Sequence, residues 1–162
     1  VSQKILTSLY YSLIYPFFIY NLIIWGNTYP TTLNHITCLQ KITLRTMTFS
    51  NFDAHSSSLL QLLKLSDLAF VETALFLFDF HQNNLPTSFR DFFTPVRNIH
   101  SYNTRLASRS SFSLPKIRTN YGKFSLRFNG PKIWNSITEL HKTALSKKCF
   151  KQKLSESLLA VY

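Results

Sequence analysis

ILTSLYYSLIYPFFIYNLIIW, residues 5–25, is twenty-one residues long and carries no charge. About 20 apolar residues suffice to cross a bilayer. The reading of this stretch therefore decides between a membrane protein and a bundle that buries a helix. Its composition is poorer than its length: Thr7, Ser8, Ser12, Asn21 and four tyrosines interrupt it, and Pro16 sits near its centre. A mid-helix proline removes a backbone donor and costs ~3 kcal/mol. The stretch reads as two helical pieces meeting at Tyr15–Pro16 and ended by Gly26-Asn27. Leu6, Leu9, Leu13, Phe17, Asn21 and Ile24 recur at spacings of three and four, as on one helix face.

Downstream, YPTTLNHITCLQKITLRTM (residues 29–47) predicts a second helix with Thr31 or Thr32 as N-cap. Leu33, Ile36, Leu39 and Met47 mark its apolar face, while Lys41 and Arg45, four apart, project together. SNFDAHSSS is a loop, followed by a short helix near Leu59–Leu63. LSDLAFVETALFLFDF (residues 65–80) opens with Ser66 and Asp67 in N-cap roles and is apolar nearly all round, the pattern of a central buried helix. QNNLPTS breaks it.

Past Asp91 the texture changes. Residues 1–90 carry five Lys/Arg against four Asp/Glu, whereas residues 91–162 carry thirteen against three, so +10 of the net +11 lies in the second part. The chain divides accordingly into a helical domain, 1–90, and a basic C-terminal region, 91–162. TPVRNIHSYNTRLASRSS reads as a long loop; FSLPKIRT and KFSLRFN alternate and predict a small β-hairpin about NYG. Gly130-Pro131 opens a helix with Pro131 near N1. The tail LSKKCFKQKLSESLLAVY predicts an amphipathic helix with Leu145, Cys149, Leu154 and Leu158 toward the core. The expected fold is mainly α: a helical bundle, a small hairpin and a C-terminal amphipathic helix.

Catalytic motifs are scarce. Three glycines leave no phosphate-binding loop, and neither G-x-G-x-x-G nor G-x-x-x-x-G-K occurs. Two-metal chemistry needs clustered carboxylates, but Asp67, Glu72 and Asp79 do not share one helix face. His35 and Cys38 could hold a metal, yet no further ligand pair completes a tetrahedral set. Two cysteines, Cys38 and Cys149, make no disulfide framework, and a reduced intracellular chain is expected. Opening on Val1 instead of methionine is expected of a piece of something longer.

The strongest signal is cations interleaved with aromatics: Arg105, Arg109, Lys116, Arg118, Tyr121, Lys123, Phe124, Arg127, Phe128, Lys132 and Trp134. Cations neutralise phosphates and aromatic faces stack unpaired bases. Phe124, Phe128 and Trp134 read better as core, and the basic residues as contacts to a polyanion. A basic surface kept for solubility is the plainer alternative.

Taken in order, LYYSLIYPFFIYNLIIWGNTYPTTLNHITCLQKITLRTM, HSYNTR, LPKIRTNYGKFSLRFNGPKIWNSI and CFKQKL resemble the C-terminal end of reverse transcriptases of non-LTR retrotransposons, jockey and its relatives. The most specific pieces are Tyr102-x-Thr104-Arg105, Gly130-Pro131-Lys132-x-Trp134-Asn135 and the Tyr15-Pro16…Trp25-Gly26 pairing. The resemblance implies the thumb and tail of an RNA-directed DNA polymerase. The catalytic aromatic-Ala-Asp-Asp motif, which holds Mg in the parent enzyme, is absent here, so the piece is expected to be inactive alone and to need no cofactor. It implies that residues 5–25 pack as thumb helices and do not span a membrane. Gln40, Lys41 and Arg45 would contact the primer–template backbone. Arg105, Arg109, Lys116, Arg118, Lys123, Arg127 and Lys132 would hold template RNA, RNA–DNA hybrid or target DNA. The missing palm and fingers would be the protein partner. Competing readings are a small membrane-associated basic interaction protein with an apolar N-terminal helix, and a helical protein-binding module.

Overall fold

A computed structural model describes residues 2–51, 65–99, 102, 104 and 109–160. The described chain is mainly helical. α1 (Gln3–Leu9) runs through one π turn (Tyr10–Ile14) into α2 (Tyr15–Ile19), followed by α3 (Leu22–Trp25), α4 (Pro30–Thr48) and α5 (Leu65–His81). Single 3-10 turns at Thr87–Phe89 and Val96–Asn98 precede α6 (Asn120–Phe124), α7 (Leu126–Ser136), α8 (Glu139–Lys142) and α9 (Lys147–Leu159). The short helix expected near Leu59–Leu63 lies outside the described residues. The chain forms two units, one of Val1–Ala69 with Glu156–Tyr162 and one of Phe70–Ser155.

Proline sets the shape of the first unit. Pro16 has no N–H, and its ring would collide with the carbonyl four residues back in a regular helix. The Tyr15 N–H instead reaches Tyr10 O, five residues back, so a single widened turn precedes the proline and the helix continues past it. The break expected at Tyr15–Pro16 falls later, where Asn21 takes a left-handed conformation (φ 50°). Asparagine tolerates this conformation better than most residues. The Trp25 indole N–H then donates to Tyr20 O at 2.7 Å, a carbonyl next to the break.

The widened turn also rotates the buried stripe. A regular helix through Leu6 and Tyr10 would return to the same side near Phe17; with one extra residue in the turn it returns at Phe18. Tyr10, Phe18 and Leu22 form the core with Met47, Leu68 and Ala69, and Leu6, Tyr15, Trp25, Leu33 and Ile36 pack against it. Of the expected face only Leu6 takes part: Leu9, Leu13, Phe17 and Ile24 are exposed, Phe17 to 80 %. Among the described residues no helix is long and apolar enough to cross a membrane.

α4 begins one residue before the expected caps, with Pro30 in its first turn, where the missing N–H costs nothing. Its threonines return their hydroxyls to carbonyls four residues back, at Leu33, Leu39, Ile42 and Leu44. Leu44 and Met47 are buried, while Leu39 points outward. Gln40 is also buried, and its side chain is hydrogen-bonded to the Tyr10 hydroxyl.

In the second unit α5 is buried along Val71, Ala74, Leu75, Leu77 and Phe78, as its uniformly apolar sequence requires. Phe78 stacks on Phe150 of α9 at 4.7 Å, and the ring contacts continue from Phe150 to Trp134 and from Trp134 to Phe112. α9 turns Phe150 and Leu154 inward, while Leu145 lies before the helix and is exposed.

The expected β-hairpin does not form. Thr119 caps α6 by accepting from Gly122 N–H at 3.1 Å, and Ser125 separates α6 from α7. A spacing of four between Phe124 and Phe128 satisfies an alternating strand and a helix turn equally. A tight hairpin turn favours glycine at positive φ, and no glycine here has one. Pro131 lies inside α7, not at its start. Among the described residues the β pairing is an isolated bridge between Pro95 and Phe112.

Two measurements check this account. A Cβ on Gly26 would fall 2.5 Å from Leu22 O and 2.9 Å from Ala69 Cβ, so Gly26→Ala is expected to lower stability by about 1–3 kcal/mol in urea unfolding. Burial pushes the Tyr10 phenol up to about 12 from 10.0, against a smaller opposing effect of the Gln40 hydrogen bond. Its neutral form therefore favours the fold fully below about pH 10, and that contribution disappears as the pH rises towards 12. Burial raises Tyr11 as well, so alkaline unfolding followed by phenolate absorbance should show a late-ionising group of tyrosines whose last member is lost in Tyr10→Phe.

Candidate nucleic-acid interface

The Gly130-Pro131-Lys132-x-Trp134-Asn135 segment organises the basic region from within. An extended segment entering a core brings backbone polar groups that must find partners. At Phe112, which is buried, the N–H donates to Asn135 Oδ1 at 2.9 Å and the C=O accepts from Asn135 Nδ2 at 2.8 Å. The adjacent Trp134, fully buried, donates its indole N–H to Ser110 O at 3.0 Å. Gly130 leaves room for the close approach: a Cβ there would meet Leu77 at 3.1 Å and the Phe93 ring at 3.2 Å. Pro131 is buried beside it, and Lys132 faces solvent.

A buried lysine completes the frame. Lys142 Nζ donates to Glu139 Oε1 at 3.0 Å and to Arg109 O at 3.2 Å, and lies 5.4 Å from the Trp134 ring centroid. A buried ammonium persists when it is paired and hydrogen-bonded. Three consecutive residues, Arg109, Ser110 and Ser111, are thus held by backbone contacts: Ser111 O accepts from Val96 N–H at 3.0 Å.

These anchors set out the surface cations. Arg109, the first of the anchored residues, is exposed. In the extended stretch 113–118 burial alternates, with Ser113, Pro115 and Ile117 half-buried and Leu114, Lys116 and Arg118 exposed. Lys123 on α6 and Arg127 and Lys132 on α7 are exposed as well. None of these six cations forms a salt bridge among the described residues; Lys123 is hydrogen-bonded to Asn120. Carboxylates pair instead with other lysines, Lys142 with Glu139, Lys147 with Asp79 and Lys151 with Glu72. Among the described residues, no cluster of three or more His, Cys, Asp or Glu groups comes together.

The aromatics divide sharply. Trp134 is core, Phe124 and Phe128 are half-buried, and Tyr121 is 79 % exposed between Arg118 and Lys123 in sequence. Tyr121 is therefore the one of the four whose ring is open to solvent on this segment. His81, solvent-exposed at the end of α5, sets its ring 5.4 Å from Trp134. Partial burial, then the Arg97 and Lys142 cations, hold its imidazole below its usual pKa.

The three candidates on α4 belong to the first unit. Lys41 is exposed and Arg45 half-buried beside a surface groove lined by Ile42, Thr46, Phe49 and Ser50. Gln40, 3 % exposed and engaged with Tyr10, is not presented at the surface. Arg105 lies outside the described residues. The roles of Asn135 and Lys142 escape composition, because charge counting treats Lys142 as one more surface cation. The signal for Asn135 was its place beside Trp134 in the quoted motif. Comparison of the chain with protein-family models, curated proteins and solved structures gives no match.

Asn135→Ala leaves a buried N–H and C=O of Phe112 without partners, each costing about 1–3 kcal/mol. The variant should unfold at clearly lower urea concentration with Trp fluorescence as the probe. Asn135→Asp restores the acceptor alone and should recover only part of the loss.

Proposed function

We propose that this chain is the thumb (residues 1–90) and basic tail (residues 91–162) of an RNA-directed DNA polymerase of the non-LTR retrotransposon type. In this reading it is non-catalytic by itself and grips primer–template, template RNA or target DNA through its cations. The observation that carries the proposal is the run of exposed cations without carboxylate partners, Arg109, Lys116, Arg118, Lys123, Arg127 and Lys132, set on one anchored framework. Surface lysines held for solubility alone would be interspersed with acids. Contacts of this kind position a strand and carry little base information. On α4, Lys41 and Arg45 are the residues proposed to meet the duplex backbone. The missing palm of the parent polymerase is the proposed cover for the exposed row Leu9, Leu13, Phe17 and Ile24.

The same exposed row favours a second reading, a basic interaction protein lying on an anionic membrane surface. That reading expects sedimentation with anionic liposomes and release only by detergent.

Binding to an RNA–DNA hybrid, followed by fluorescence anisotropy across a salt series, tests the first reading. If roughly six phosphates are neutralised, affinity falls by ~10³ or more between roughly 50 and 200 mM salt. Replacing Lys123, Arg127 and Lys132 together by Gln should flatten that slope by about three phosphates' worth. A shallow slope in the unmodified protein, together with liposome binding, overturns the proposal.

A further inference from the structure

Within the second unit, the end of α5 and the turn after it border a small, solvent-open cavity that the cation run above does not include. α5 stops because Asn83 adopts a left-handed backbone (φ 58°), with Asn84 N–H reaching back to Asp79 O at 2.9 Å, the bond of a Schellman ending. Pro86 then starts a tight turn, with Phe89 N–H on Pro86 O at 3.0 Å and Arg90 N–H on Thr87 O at 3.1 Å. Between these two fixed pieces lies a cavity of about 220 Å³, walled by Phe80, Leu85 and Phe89 and lined also by Asn83, Thr87 and Arg90. It is smaller than the roughly 300–1,000 Å³ of sites for drug-sized ligands and suits a single planar ring system.

Its chemistry is specific. The aromatic walls are braced from behind: Phe80 meets Phe93 at 5.0 Å and Phe112 at 5.4 Å edge to face, and Phe89 meets Phe76 at 5.4 Å in the same manner. The polar side chains are uncommitted, for Asn83, Thr87 and Arg90 make no side-chain hydrogen bond or ion pair among the described residues. A guanidinium without a carboxylate asks for an anion and matches phosphate bidentately. An amide offers one donor and one acceptor direction to the edge of a heterocycle.

We infer that this cavity takes one nucleotide, its base against Phe80 and Phe89, its edge on Asn83 and its phosphate on Arg90. The choice of a nucleotide over another aromatic anion rests on the nucleic-acid reading above. An unpaired nucleotide of a strand and a free nucleotide share this chemistry.

The test uses the full chain and three probes: an abasic sugar–phosphate chain, the same chain carrying one central adenine, and adenosine monophosphate. Base–aromatic stacking should make the adenine-bearing chain bind about tenfold more tightly than the abasic one. Asn83→Gly, which keeps the left-handed backbone, should erase most of that difference while leaving abasic-chain binding and thermal unfolding unchanged; Arg90→Ala should erase it too, with abasic-chain binding weakened by no more than one phosphate contact. Equal binding of the two chains by the unmodified protein, or a difference that survives both variants, overturns the inference and leaves the nucleic-acid reading intact. Binding of adenosine monophosphate alone, lost in both variants, supports the cavity as a free-nucleotide site and overturns the nucleic-acid reading. No binding of any probe overturns both.

Discussion

A chain that carries an extended segment into a hydrophobic core must answer every N–H and C=O it brings along. At Phe112 both groups are answered by one side chain, the amide of Asn135. Three bonds in the neighbourhood depend on the same alignment: Trp134 to Ser110 O, Lys142 to Arg109 O, and Val96 N–H to Ser111 O. Because Trp134, Phe112 and Phe150 also form the ring contacts of the core, backbone satisfaction and aromatic packing are one structure. Rotating Asn135 away would open the polar and apolar parts together.

Scarcity of acid gives the surface its character. Phe70–Ser155 contains four carboxylates, Glu72, Asp79, Asp91 and Glu139, and three of them are paired with Lys151, Lys147 and Lys142. Asp79 and Glu72 of α5 thereby tie down α9 through Lys147 and Lys151, while Glu139 pairs with Lys142 within α8. The cations before them are left uncompensated in the folded chain. Such an arrangement carries self-repulsion that a bound polyanion would relieve.

What the amino-acid order reveals depends on whether one period dominates. α5 is legible because its residues are apolar on every side, so no phase need be chosen. The cations at Arg109, Lys116, Arg118, Lys123, Arg127 and Lys132 are legible as exposed because long charged side chains are rarely buried. The hairpin misreads because Phe124 and Phe128 fit both periods and Thr119 can cap a helix as well as end a strand. In the N-terminal stretch Pro16 is visible, but a widened turn before it shifts the buried stripe by one residue, and periodicity alone keeps the wrong phase. Gln40 misleads for a different reason: a polar residue enters the core because the buried Tyr10 hydroxyl needs a partner that no local pattern announces.

The Pro95–Phe112 bridge, flanked by Val96 N–H to Ser111 O and Ser113 N–H to Thr94 O, draws the two ends of the intervening segment through one neck. Thr94, Val96, Ser111 and Ser113 hold this neck through their backbones, and Trp134, Asn135 and Lys142 hold its second side in place. A change at Asn135 is therefore felt at Thr94 and Val96, positions that no local pattern connects to it.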